Sequence, residues 1–373
     1  PRSEQVVEYI LYLLWDLGFK VGHSVRSVAD CVEVANDHRT PKGMETKTSL
    51  IEARLITGDP ALFEKLDRAV IAKCVEGHEK DYIEARLEDQ STRRTKHGDS
   101  PTMQEPNLKN GCGGLRDYQN LHWMSFFKHR TRTLAEMEAQ GLITGAERKQ
   151  LDRAYDFLLR VRTEMHHQAG RSQDVLQRAL QPAVALELGY AERSPTRRLE
   201  QFMRDLYMHT RHLYLSTRTL EDRLALAPQP SRLAAIGEFL TGPFRQPKEQ
   251  LLDGFRIAHS QIHYASPRVF RDQPRRMMRV FLYAQQRGLK LHPDLSQQIR
   301  RELSLVNREF LKDTHVRETF LEILNQRGAV GRTWRAMHEV GLLGKYMPEF
   351  GKLTCLVQHE FYHVYSADEH TLQ

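Results

Sequence analysis

Residues Leu199–Leu226 read LEQFMRDLYMHTRHLYLSTRTLEDRLAL, and their spacing sets the architecture to expect. Leu199, Phe202, Met203, Leu206, Tyr207, Leu213 and Leu220 recur largely at helical steps, so one apolar face runs along a single long helix. Outward from it the same period dominates. Leu151–Met165 repeats Leu151, Tyr155, Leu158, Leu159 and Arg162, and further helices are expected over Pro274–Arg287, Leu295–Phe310 and Val316–Gln326. Gly341, Gly344 and Gly351 punctuate the end. Very little from Tyr118 onward alternates with period two. Pro228-Gln229-Pro230, Gly242-Pro243 and Pro247 mark a linker or irregular insertion, and a subdomain boundary is placed there.

Upstream the pattern is mixed. Val6, Val7, Ile10, Leu11, Leu13 and Leu14 read as a helix over Val6–Trp15 that Gly18 stops. Phe19–Arg26 alternates in its first half and reads as the best strand of the chain. Ala29–Ala35, Thr48–Leu55 and Phe63–Val75 read as helices, with a Gly58-Asp59-Pro60 turn between the last two. Ser91–Gln104 is polar and basic and reads as an exposed loop or hairpin. The fold class is therefore mainly α, with a small α/β remnant at the N-terminus.

The chain has 373 residues, enough for two or three cores. Its 55 Lys+Arg against 48 Asp+Glu leave +7, a modest excess that argues against a dedicated nucleic-acid binder while permitting a cleft for a small anion. A mean hydropathy of -0.58 and the lack of any apolar run of about 18 residues exclude a membrane span. With no secretory signal at the start, the chain is expected to be cytoplasmic. Cys31, Cys74, Cys112 and Cys355 form no CxxC pair and are read as reduced thiols. Two basic clusters stand out: Arg268, Arg271, Arg275, Arg276 and Arg279 against Asp272, and Lys128, Arg130 and Arg132. A solvated helix face accounts for both.

The segment from Glu105 to Asp117, EPNLKNGCGGLRD, sets three glycines and two cations before an amphipathic helix. Glycine lets backbone N–H groups approach a phosphate, and Lys109 and Arg116 could neutralise its charge. The segment is neither a Walker A loop nor GxGxxG, and a purely structural turn is the competing reading. His23, Ser24 and Arg26 could line a cleft near the first strand, or His23 could simply bond within a small core.

Three motifs occur in order: Leu14-Trp15-Asp16-Leu17-Gly18 into Val21–Arg26, Glu105–Lys109 into Gly113-Gly114-Leu115-Arg116-Asp117, and Tyr362-His363-Val364-Tyr365 into Asp368-Glu369-His370-Thr371-Leu372. Together they resemble the bifunctional [protein-PII] uridylyltransferase/uridylyl-removing enzyme family. Phe157–His166 and Phe202–Tyr207 also fit. The middle motif is similar as well to glutamine synthetase adenylyltransferases. The resemblance implies a polymerase-β-like nucleotidyltransferase that moves UMP from UTP to a tyrosine of PII with Mg²⁺, an HD domain with a divalent metal that removes it, and glutamine-sensing ACT domains. It implies residues 1–60 as the rear of the nucleotidyltransferase domain and 61–228 as a helical companion domain. Residues 229–350 would be a helical connecting region, and 351–373 the first helix of the HD domain. Lys109, Gly113, Gly114 and Arg116, with His23, Ser24 and Arg26, are the expected nucleotide-binding residues, and His370 the expected HD metal ligand.

Departures from the family pattern are large. No Gly-x-Gly-Arg turn followed by Asp-x-Asp occurs in the 373 residues, so no catalytic metal-binding residue is assigned. The HD pattern stops after His370 and no ACT domain follows, so the chain is expected to be a central section, inactive alone. A non-catalytic helical module that binds PII or another regulatory protein through the Arg268–Arg279 face is the alternative. His359-Glu360-Phe361-Tyr362-His363 also matches the HExxH zinc pattern, without a third ligand in place.

Overall fold

The computed structural model describes residues 2–37, 41–226, 250–258, 260–356 and 366–372. The chain divides into two compact units, Pro1–Tyr82 and Ile83–Gln373.

The first unit holds α1 (Arg2–Asp16), α2 (Val28–Ala35), α3 (Pro41–Ile51) and α4 (Pro60–Val70), which runs on as a π-helical turn to Val75. Ser27 and Asp30 form a capping box at the start of α2, and Asp59 caps α4 through the Ala61 N–H, with Pro60 in the first turn. A second difference from the sequence reading lies between α1 and α2. Phe19–Arg26 forms no strand and is irregular. A strand needs a neighbour for its N–H and C=O groups, and no strand is present among the described residues of this unit. The expected Thr48–Leu55 helix is the end of α3, which stops at Ile51. Tyr9, Tyr12, Leu13, Trp15, Leu17 and Phe19 are exposed.

The second unit begins within α5 (Glu79–His97) and continues through α6 (Leu115–His129), α7 (Leu134–Ala139), α8 (Gly145–Ala169), α9 (Gln181–Glu187) and α10 (Pro195–Leu226). Helix α5 runs through most of the stretch expected as a loop, because its polar face pairs with buried groups and with itself, as Arg93 does with Asp89 one turn away at 3.2 Å. Only residues 98–104 are irregular, beginning at Gly98 with φ +102°.

Helix α8 starts at a Thr144/Glu147 capping box and ends at Gly170, φ +62°. Its Leu151, Ala154, Leu158, Val161 and Met165 are buried at helical spacing. They pack with Leu199, Phe202, Met203, Leu206, Leu213 and Leu220 of α10, the face read from the sequence. Each such fully buried Leu or Phe contributes about 1.5–3 kcal/mol.

A second core follows in the same unit. Strands β1 (Gln250–Leu252), β2 (Phe255–Ala258) and β3 (Gln261–Tyr264) form an antiparallel meander, and β4 (Lys290–Leu291) adds parallel to β3. The mainly helical class with a small β part thus stands, but the β part lies here rather than at Phe19–Arg26. Asp253 (φ +48°) and Gly254 (φ +81°) make the two-residue turn between β1 and β2, the left-handed pair that such hairpins need.

Helices α11 (Val269–Asp272), α12 (Arg276–Gln286), α13 (Pro293–Arg301), α14 (Arg308–Lys312), α15 (Thr314–Asn325), α16 (Val330–Glu339), α17 (Leu342–Tyr346), α18 (Pro348–Leu353) and α19 (Ala367–Leu372) complete the unit. The helix expected over Leu295–Phe310 is broken by a 3-10 turn at Leu303–Leu305, and Asn307 caps α14 by accepting from Glu309 and Phe310 N–H. Phe270, Met277, Phe281, Leu295, Ile299, Ile323 and Met337 centre this core. Arg223 near the end of α10 ties the two cores, donating to Asp294 at 2.7 Å, to the Leu142 carbonyl at 2.9 Å and to Gln297. The proline-bearing linker lies outside the described residues. No described helix is long and apolar enough to cross a membrane, and the four cysteines are free thiols.

Candidate functional site

The glycine-rich turn is built from its first residue. Asn107 Oδ1 accepts the N–H groups of Lys109 (3.1 Å) and Asn110 (2.8 Å), which bends the chain without help from a helix or sheet. Leu108 N–H bonds the Asp174 carbonyl at 2.8 Å and Leu176 N–H the Pro106 carbonyl at 3.0 Å, stitching the turn to the segment after α8. Leu115 and Arg116 N–H then return to the Leu108 and Lys109 carbonyls, both at 2.9 Å. Gly113 sits at φ +70°, and a Cβ there would meet the Thr210 carbonyl oxygen of α10 at 2.2 Å. Only glycine fits that approach.

Beneath the turn lies Asp117 in the first turn of α6, completely buried. Its carboxylate accepts the Gly113 N–H (2.9 Å), Gln90 Nε2 (3.2 Å), Arg94 (3.0 Å) and Arg93 (3.4 Å). Gln90 also donates to Glu221 of α10 at 2.9 Å. Burial works against the charge on Arg94, yet Asp117 foremost holds its pKa above the ordinary value. Burial pushes Glu221 up to about 7; Asp117 adds to the rise, while Arg94 and Gln90 oppose it. Burial also pushes the Cys112 thiol up to about 12, so it is no nucleophile at neutral pH. Gln90, Arg94, Tyr214, Arg218 and Glu221 line a recess of about 410 Å³ beside this network.

The turn therefore spends most of its own N–H groups internally, unlike the open phosphate cradle imagined from its glycines. What it presents outward is side chains. The Lys109 side chain is partly exposed and makes no ion pair among the described residues. Arg116 stacks its guanidinium over Trp123, 5.3 Å from the ring centroid, with Arg86 at 5.7 Å from the same ring. Lys109, Gly113, Gly114 and Arg116 are thus brought together by one turn. His23, Ser24 and Arg26 belong to the other unit, where His23 and Ser24 are exposed and the His23 ring meets Trp15 edge-on at 6.2 Å.

His370 is exposed in α19. Two residues earlier, the buried Asp368 binds His338 Nε2 of α16 at 3.0 Å, a pair that the motif reading did not single out. Burial raises the Asp368 pKa, but hydrogen bonds from His338 and then Ser366 and Cys355 outweigh it and leave it lowered. Among the described residues no three His, Cys, Asp or Glu side chains are placed to hold a metal ion. The described residues thus bring together no such set for the Mg²⁺ or the HD metal that the resemblance implies. The HExxH segment and Tyr362–Tyr365 lie outside the described residues.

The two basic clusters also resolve into structure. Arg271 pairs with Glu302 (2.9 Å), Arg275 with Asp313 (2.5 Å), Arg276 and Arg279 with Asp253 (3.1 and 2.8 Å), and Arg268 with Asp272 (3.4 Å). The run clamps the second core rather than presenting free charge. Lys128 donates to the Leu224 carbonyl at 2.8 Å, and Arg130, left-handed at φ 60°, closes the C-terminus of α6 on the Phe126 and Phe127 carbonyls.

Residues 81–220 match the family model described as GlnD PII-uridylyltransferase, and residues 255–346 match the uridylyltransferase GlnD third domain. The chain is 34% identical over 378 aligned residues to a bifunctional uridylyltransferase/uridylyl-removing enzyme of Azospirillum brasilense. It is 33% identical over 375 residues to one of Caulobacter vibrioides. Each match covers 100% of this chain and 39% of the relative's length. No solved structure matches it. Likeness along all of this chain, with two GlnD domain models in succession on it, matches the chain to a central section of the bifunctional uridylyltransferase/uridylyl-removing enzyme family.

Proposed function

We propose that the protein containing this chain transfers UMP from UTP to a tyrosine of the small regulatory protein PII and removes it again by hydrolysis. The observation that carries this reading is the 34% identity over the whole chain to an enzyme bearing both activities in its name. In this reading Lys109 and Arg116 meet the UTP phosphates, Gly113 and Gly114 let the turn close against α10, and His23, Ser24 and Arg26 are further nucleotide-binding residues. Lys109 supports it best, because among the described residues its ammonium makes no ion pair that would have to be given up to a phosphate. Arg116 lies over the Trp123 ring, a contact that holds this bidentate donor in place.

The Mg²⁺ that the resemblance implies would be held by carboxylates, and no Asp-x-Asp pair for it occurs in these 373 residues. His370 would be one ligand of the HD metal, and glutamine an effector acting through ACT domains. The chain alone is therefore expected to transfer nothing. The test is incorporation of labelled UMP into PII with Mg-UTP, and its release on adding glutamine, by the longer enzyme and by the 373-residue chain. The expected result is both activities in the first and neither in the second. Absence of transfer by the longer enzyme, with PII folded and UTP saturating, contradicts the reading.

A further inference from the structure

A cavity of about 490 Å³ opens between the C-terminal half of α10 and helices α12, α13 and α16. Its walls are apolar where Leu215, Phe281, Leu289 and Val340 face it, and its charge is unbalanced. Arg218, Lys290, Arg300, Arg332 and Arg335 line it against only Asp222 and Glu339. Two of the cations are already engaged, Arg218 with Glu339 at 3.0 Å and Arg335 with Glu369 at 3.7 Å. Lys290 and Arg332 make no ion pair among the described residues.

Arg300 is the informative group. Its guanidinium is drawn into the fold, where its hydrogen bond goes to a neutral hydroxyl, Thr219 Oγ1, at 3.2 Å. The nearby carboxylates are committed elsewhere: Glu147 to Gln297 and the α8 cap, Glu339 to Arg218. Burial pulls its pKa down, Glu147 and Glu339 only partly oppose this, and Arg211 and Arg218 lower it further. A partly buried cation with no ion-pair partner among the described residues is costly, and such a cost persists where an anion relieves it. The volume suits a small molecule whose apolar body lies on the Phe281 and Leu289 walls.

We infer that this cavity binds a small organic anion, its phosphate or carboxylate on Arg300 with Lys290 and Arg332 at the rim, in a volume that shares Arg218 and Asp222 with the recess beside the glycine-turn network. The site lies within the segment matching the third GlnD domain and α10, and it needs no uridylyl transfer to be real. It is tested by calorimetric titration of the 373-residue chain with phenyl phosphate, phenylacetate and inorganic phosphate. Saturable binding of at least one aryl anion, about tenfold tighter than inorganic phosphate, is expected from the apolar walls. R300Q should weaken it about tenfold or more, a loss equal to one charge-assisted bond.

The K290A/R332A double variant removes two side chains that carry no internal ion pair, so it remains informative if R300Q fails to fold. It should weaken binding roughly threefold to tenfold. The phosphate and carboxylate arms tell which head group the site prefers. No saturable binding of either aryl anion at millimolar concentration overturns the proposal, as does binding that both variants leave unchanged.

Discussion

Two regions of the second unit gather arginines against α10 and treat them in opposite ways. Under the glycine turn, Arg93 and Arg94 converge on the buried Asp117, which also takes a backbone N–H and an amide, so every charge is answered from within. In the cavity lined by the same stretch of α10, Arg300 donates to a hydroxyl and makes no ion pair among the described residues. The first arrangement is a clamp whose loss should unfold structure. The second is an unspent charge whose loss should cost little stability and should matter only to a ligand. A cluster of cations is thus informative through the acids it lacks rather than through its size.

The contrast can be broken most sharply at Asp117. Asp117→Ala strands two arginines and a glycine N–H, and chemical unfolding of the chain should register a loss of about 3–5 kcal/mol. A change below about 1 kcal/mol would remove the clamp from the account. Gly113→Ala should cost roughly 2–4 kcal/mol through a forced left-handed alanine and a collision with the Thr210 carbonyl. Gly189→Ala, also left-handed at φ +87° but facing open space, should cost only about 1 kcal/mol. Equal costs would mean that the close approach to α10 carries no energy.

Glu221 sharpens the comparison through pH. Its folded pKa of about 7 lies above the ordinary 4.5, so between those values the unfolded chain has shed a proton that the folded chain keeps. That group therefore contributes stability below about pH 4.5 that is lost as pH rises to about 7. Glu221→Gln keeps an acceptor for Gln90 and should flatten this slope, gaining on the order of 2 kcal/mol at pH 8 relative to pH 4.5. An unchanged slope in the variant would show that the carboxyl ionises freely. The smallest effect belongs to the cavity: Arg300→Met should shift stability by no more than about 1 kcal/mol, because it removes a charge with no counter-charge. A loss near that of Asp117→Ala would make Arg300 part of a clamp as well.

Much of this organisation could be read along the chain. The α10 face, the α8 face and the mainly helical class follow from spacing alone, since each buries a stripe whose period is local. The glycine turn and its cations were visible for the same reason. Phe19–Arg26 misled because alternation signals a strand only where a partner strand exists. The true sheet carried a readable cue in Asp253-Gly254 between two short apolar runs, hidden by strands of three and four residues. Asp117, Arg94 and Glu221 come together from three helices far apart in sequence, as do Thr219, Arg300 and Arg332. No window of sequence contains such a set, and the pairing that quiets the Arg268–Arg279 run is equally long-range.

The most direct measurement is the steady-state dependence of PII uridylylation on UTP in the longer enzyme carrying Lys109→Ala or Arg116→Ala, with unfolding midpoints measured alongside. Each substitution should lower kcat/KM for UTP roughly 10- to 150-fold, or about 1.5–3 kcal/mol, while the unfolding free energy of the Lys109→Ala enzyme stays within a few tenths of a kcal/mol of the parent. Unchanged UTP kinetics in both variants would contradict the account and leave the glycine turn as a structural clamp on α10.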